Sequence, residues 1–121
     1  MQKLKLVAGS LGFTGVGLGA FGAHALKDTL AMRQMTSAWD TAVLYLLVHC
    51  VAIYATTLAP NPNTKAAWFW TGGVVLFSGS LLAMALGGPS WLGPITPLGG
   101  VAFLVGWSLV IKSAFSPSRG T

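Results

Sequence analysis

Long apolar runs, separated by single charges or turn-forming residues, set the architecture of this chain. Between Lys5 and Lys27 lie 21 uncharged residues, between Asp40 and Lys65 another 24, and between Lys65 and Lys112 there are 46. A hydrocarbon core about 30 Å thick needs roughly 20 apolar residues of helix to cross it. The first two runs therefore predict one crossing each. The third predicts two, because Gly87-Gly88-Pro89-Ser90-Trp91-Leu92-Gly93-Pro94 breaks it near the middle. The expected fold is all-α: a polytopic membrane protein with four transmembrane helices in one compact bundle, the spans lying at about 4–26, 39–58, 67–86 and 97–114 of a single domain, 1–121.

Residues 27–38 form the longest polar stretch. Leu26, Leu30 and Met35, spaced through it, predict a short amphipathic helix on the membrane surface between spans one and two. Asn61-Pro62-Asn63-Thr64 predicts the turn between spans two and three. Thr96 before Pro97 reads as the N-cap and first helical residue of span four. The first 25 residues also carry the parts of a secretory leader: Lys3 and Lys5, an apolar run over 6–22, and Ala23-His24-Ala25. That run is longer than a usual leader core, so a retained helix is expected.

Composition agrees with immersion in lipid. Charged residues make up 7% of the chain and hydrophobic ones 54%, where an ordinary soluble domain has about 25% charged. The cations Lys3, Lys5, Lys27, Arg33, Lys65, Lys112 and Arg119 fall singly at span ends. They form no stripe for nucleic acid and suit anionic lipid headgroups. With four spans, both termini share a side with the middle loop, placing five of these cations on that side against Lys27 and Arg33 on the other. The excess predicts both termini in the cytoplasm.

Small residues predict the packing. At about 100° per residue, Ala8, Gly12, Gly15, Gly19, Gly22 and Ala23 share one stripe of span one. Helices in lipid gain from close backbone approach at such residues. Gly72, Gly79 and Ala83 suggest a similar stripe in span three, and Gly99 with Gly106 in span four. Trp39, Trp68, Trp70 and Trp91 stand near span ends, where indoles favour the headgroup region. Trp107 lies deeper and calls for a serine hydroxyl or a carbonyl as partner.

Candidate chemistry concentrates in span two, where Thr41, Tyr45, His49 and Thr56 fall within roughly 80° of one another. An ionisable group at the depth of His49 is costly and normally faces protein or water. It is either a neutral imidazole bonded across the bundle or part of a proton or ligand path. His24 closes span one and Asp40 opens span two at the same membrane face, so a contact could orient the imidazole; Asp40 equally suits a helix N-terminus. His24 and His49 lie at different depths, which disfavours a bis-histidine haem. His24, Asp40, His49 and Cys50 do not converge on a metal, and Cys50 reads as a small packed residue. Ser78 and Ser80 stand about 160° apart on their helix. One is expected to bond a neighbouring span and the other its own backbone.

Four local patterns, taken together, resemble a known family. They are Gly19-Ala20-Phe21-Gly22-Ala23-His24-Ala25-Leu26, Tyr45 with His49, Leu76-Phe77-Ser78-Gly79-Ser80-Leu81, and Ile95-Thr96-Pro97-Leu98-Gly99-Gly100 before Gly106-Trp107. The chain is similar along its whole length to the small four-helix inner-membrane proteins grouped as domain-of-unknown-function family 423. The resemblance implies four membrane helices, no established activity and no agreed catalytic residues. It places emphasis on His24, Tyr45, His49, Ser78, Ser80, Thr96 and Pro97.

The expectation is a non-enzymatic membrane protein of structural or accessory role, without cofactor or metal. It would pack as a homo-oligomer or as a subunit of a larger membrane complex. The alternative is a conduit or binder for a small molecule, lipid or proton, lined by the polar face of span two.

Overall fold

The computed structural model describes residues 1–115; Arg119, counted above for orientation, lies outside them. The described residues are helical, with no strand among them. Helix α1 (Gln2–Ala23) is span one, a short α2 (Lys27–Met32) follows, and α3 (Thr36–Thr57) is span two. Span three starts as α4 (Thr64–Gly73), passes through a π-helical turn (Val74–Ser78) and ends as α5 (Gly79–Ala85). A single 3-10 turn (Ser90–Leu92) leads to α6 (Ile95–Ala114), span four. All four are long and apolar enough to cross a membrane.

Turn chemistry sets where these helices stop. At the end of α2, Gln34 takes a positive φ of 56°, while Gln34 N–H bonds Ala31 O and Met35 N–H bonds Leu30 O. Gly87, with φ at 99°, closes span three in the same way: its N–H reaches Met84 O and that of Gly88 reaches Ala83 O. Both satisfy carbonyls that a helix end leaves bare. Span three begins on Asn63, whose side chain accepts from Ala66 N–H at 3.2 Å and donates to Leu109 O at 3.2 Å. That one amide caps the helix and ties span three to span four.

Consecutive spans pack antiparallel. Span one lies chiefly on span two, span two also on span three, and span three on span four. Between the first pair, Gly12, Gly15, Gly19 and Gly22 face Cys50, Leu46 with Leu47, Val43 and Trp39 in turn. Ala23, by contrast, is exposed, because the stripe drifts off the seam at the last turn. Between spans three and four, Trp70, Gly73 and Phe77 face Gly106, Phe103 and Gly99. Steps of three and four residues down one helix match the same steps up the other.

The packing stripe expected in span three is displaced. Gly72 would find nothing within 4 Å of an added Cβ, and Gly79 meets only its own helix at Val74 O; Ala83 is exposed. Gly73 is the packing glycine instead, with the Phe103 ring over it. Large rings choose the face here, since Trp70 must point inward, and the π turn then rotates everything after it relative to an unbroken helix.

Two of the tryptophans placed at the headgroups are interior. Trp39 fills the notch at Gly22 and donates from Nε1 to Leu18 O at 2.9 Å. Trp70 fills the notch at Gly106 and is 2% exposed. Trp68 and Trp91 are exposed. The helix of span four starts at Ile95 after Pro94, so Thr96 is inside its first turn and does not cap it. The connecting helix α2 buries Leu30 completely against Trp39, Val43 and Ala85, while Met32 on its other side is exposed.

Candidate functional site

Six rings from three spans meet around His49: Tyr45 and His49 from span two, Trp70 and Phe77 from span three, and Phe103 and Trp107 from span four. Phe103 stacks on the imidazole at 3.8 Å between centroids and an interplanar angle of 10°. The Trp70 and Trp107 indoles lie 4.6 Å apart and tilt against the same imidazole. This arrangement follows from sequence spacing. Tyr45 and His49 are four apart, as are Phe103 and Trp107, so each pair shares a helix face.

The hydrogen bonds of His49 fix its tautomer. Trp107 Nε1 lies 3.0 Å from His49 Nε2, and an indole N–H can only donate. His49 Nε2 must therefore accept, which leaves the proton on Nδ1. That N–H donates to Tyr45 O, 2.7 Å away. Both ring nitrogens are engaged in the neutral form, and the residue is only 3% exposed. The partner of Trp107 is thus the imidazole, not the serine or carbonyl expected for it. Depth alone could have suggested this pairing, since His49 and Trp107 both lie well inside their spans, but the buried Ser78, Ser80 and Trp70 offered other partners.

Tyr45 enters the cluster by its ring. It lies 4.8 Å from Phe77 and 5.9 Å from Phe103 and stays 40% exposed. Its hydroxyl makes no bond to span three or four among the described residues. Thr41 is half-buried outside the ring cluster, and Thr56 bonds back to Ile53 O at 2.7 Å. The polar face read from span two is therefore not one polar pocket. His24 and Asp40 are both exposed, and among the described residues no ion pair joins them. Cys50 is buried against Gly12, its thiol donating to Leu47 O at 3.1 Å.

The two serines diverge, yet both reach neighbours. Ser78 Oγ donates to Ala42 O of span two at 2.7 Å. Ser80 Oγ meets Thr96 Oγ1 of span four at 2.5 Å and also bonds Phe77 O of its own helix at 3.0 Å. The bond to its own backbone expected for one of them is present at Ser80, which adds a hydroxyl contact to span four. Trp70 contributes the one unbonded buried side-chain donor among the described residues, its Nε1 over Gly106. No three His, Cys, Asp or Glu side chains among them converge on a metal position.

Comparison with known proteins finds membrane proteins along most of the chain. Residues 18–100 match the family model described as "Protein of unknown function (DUF423)". The chain is 35% identical over 120 residues to the UPF0382 membrane protein YwdK of Bacillus subtilis, covering 93% of this chain and 97% of that one. It is 41% identical over 120 residues to the UPF0382 membrane protein SH2409 of Staphylococcus haemolyticus (94% and 97%). It is 38% identical over 114 residues to the UPF0382 inner membrane protein YgdD of Escherichia coli K12 (89% and 86%). No solved structure matches the chain.

Proposed function

Starting from the fact that the chain belongs to the DUF423 family, a group of membrane proteins described without an activity, we propose a structural or accessory role without catalysis. In this reading the protein sits in the inner membrane, as the name of its Escherichia coli relative says of that protein, with both termini in the cytoplasm. It packs there as a homo-oligomer or as a subunit of a larger membrane complex.

The observation that carries this reading is the occupancy of His49. Both its nitrogens are committed to protein partners and one ring face is covered by Phe103. A relay needs a nitrogen that can take up and pass on a proton, and here each exchange would first break a bond in the core. The hydroxyls of Ser78 and Ser80 are likewise spent on Ala42 O and Thr96, with no base beside them to make a nucleophile. Among the described residues, four cations stand on the side of the termini and two on the other, which supports the orientation.

Purified protein in proteoliposomes containing a pH-sensitive dye tests the reading. Proton flux should not exceed that of protein-free vesicles. His49→Gln should keep much of the thermal stability, since an amide replaces some of the bonds. His49→Leu should cost about 1–3 kcal/mol, the penalty for an orphaned partner. Flux in the parent that both variants abolish, with their folds intact, would establish the conduit instead.

A further inference from the structure

The face of span one turned away from span two carries an open groove. Lys5, Leu6, Gly9, Ser10, Phe13 and Thr14 line this groove of about 440 Å³. A Cβ on Gly9 would meet nothing within 4 Å, and Phe13, 85% exposed, stands beside it as a wall. From Lys5 to Thr14 the helix rises about 14 Å at 1.5 Å per residue. That is roughly half of a hydrocarbon core of about 30 Å. The groove therefore opens at headgroup level and ends near the midplane, the depth of one leaflet.

Charge decides what fits it. Lys5 sits at the mouth with Lys3 nearby, while the two carboxylates of the chain, Asp28 and Asp40, lie beyond the far end of span one. Among the described residues, no acidic side chain on this face neutralises the ammonium. A second copy docking here about a twofold axis along the membrane normal would bring another Lys5 to the same mouth, like charge against like. A phosphate meets the ammonium with opposite charge, and an acyl chain below it meets only apolar surface and two hydroxyls.

We propose that this groove binds an anionic phospholipid, its phosphate on Lys5 and one acyl chain laid over Gly9 against Phe13. Any homo-oligomer then forms through another face. The lipid would shield a helix that has protein on one side only, and it would anchor span one at the depth set by Lys5.

Native mass spectrometry of protein released from micelles doped equally with phosphatidylglycerol and phosphatidylcholine tests this. The parent should retain phosphatidylglycerol in about fivefold preference, the effect of one basic residue near an anionic headgroup. Lys5→Gln should lose the preference, whereas Lys65→Gln, a cation on the same membrane side, should keep it. Gly9→Leu fills the groove from a position with open space around it. It should release the lipid while leaving the melting temperature of lipid-free protein unchanged. Equal retention of both lipids by the parent, an equal loss with Lys65→Gln, or lipid held by Gly9→Leu as by the parent would each overturn the proposal. A parent dimer that Gly9→Leu splits would also overturn it and assign the groove to a second copy.

Discussion

Spans one and two and spans three and four are both antiparallel pairs, but they distribute small and large residues differently. In the first pair the glycines lie on one helix, and span two supplies Val43, Leu46, Leu47 and Trp39 to cover them. In the second pair each helix gives and receives. Trp70 enters at Gly106, Phe103 enters at Gly73, and the backbone of Phe77 lies against Gly99. A reciprocal seam resists sliding, because a shift of one turn would unseat two rings and drive Phe77 into a side chain. A one-sided seam holds its register with one large ring, Trp39, locked by its bond to Leu18 O. Span one is thus held firmly at one end and by softer contacts along the rest.

The largest test of this contrast is Gly99→Ala. An added Cβ would meet the Phe77 backbone, which has no rotamer to yield, so the two helices must separate. A loss of about 3 kcal/mol is expected, the upper end for overpacking, read from unfolding in detergent micelles. A change below about 1 kcal/mol would mean the seam is looser than drawn.

Next come the two buried indoles. Trp39→Phe removes a bonded N–H and should cost about 1 kcal/mol more than Trp70→Phe, which removes an N–H that has no partner. Both variants shrink a ring in a glycine notch, so their difference isolates the hydrogen bond. Equal melting temperatures would show that Trp70 Nε1 finds an acceptor in the membrane.

Within the first seam the glycines themselves should rank. Gly15→Ala places a Cβ 2.6 Å from a Leu46 methyl and 2.7 Å from one of Leu47. These side-chain tips can turn aside, so the loss should be about 1 kcal/mol. Gly19→Ala and Gly12→Ala meet neighbours at 3.4 and 3.6 Å and should be neutral or slightly stabilising, since alanine is the better helix former. The same ranking in a thermal melt supports the seam; a uniform response would say the helices are not in this register.

The smallest effect belongs to the joint between the pairs. Ser78→Ala deletes the bond to Ala42 O and should cost about 0.6 kcal/mol, the average for such bonds in membranes. Unfolding curves that become biphasic in this variant would show that the two hairpins separate before they melt.

Much of this was readable from residue order. Span number follows from runs of uncharged residues, because a charge left in hydrocarbon is too costly to tolerate by accident. Breaks followed from Gly, Pro and Asn at turns. Gly12, Gly15, Gly19 and Gly22 share a face by simple periodicity, and an unbroken helix preserves that periodicity. Span three was misread at Gly72 because the Trp70 ring takes the inward face there, and at Gly79 because a π turn adds a residue to the helix and every face after it rotates. Nothing in Val74-Val75-Leu76-Phe77-Ser78 announces such a turn.

What the sequence determined by itself was topology: four apolar helices, their order and their antiparallel succession. These depend on length and polarity, properties of each segment alone. Tertiary structure decided which atoms meet. That His49 would accept from Trp107 rather than from a serine, that Ser80 would reach Thr96, and that Trp70 would be interior rather than at the headgroups are properties of pairs on different helices. They depend on rotation about each helix axis to within a fraction of a turn. In lipid the apolar face of a helix does not distinguish protein from solvent, so hydrophobic pattern alone cannot set that rotation; only the match of rings to notches does.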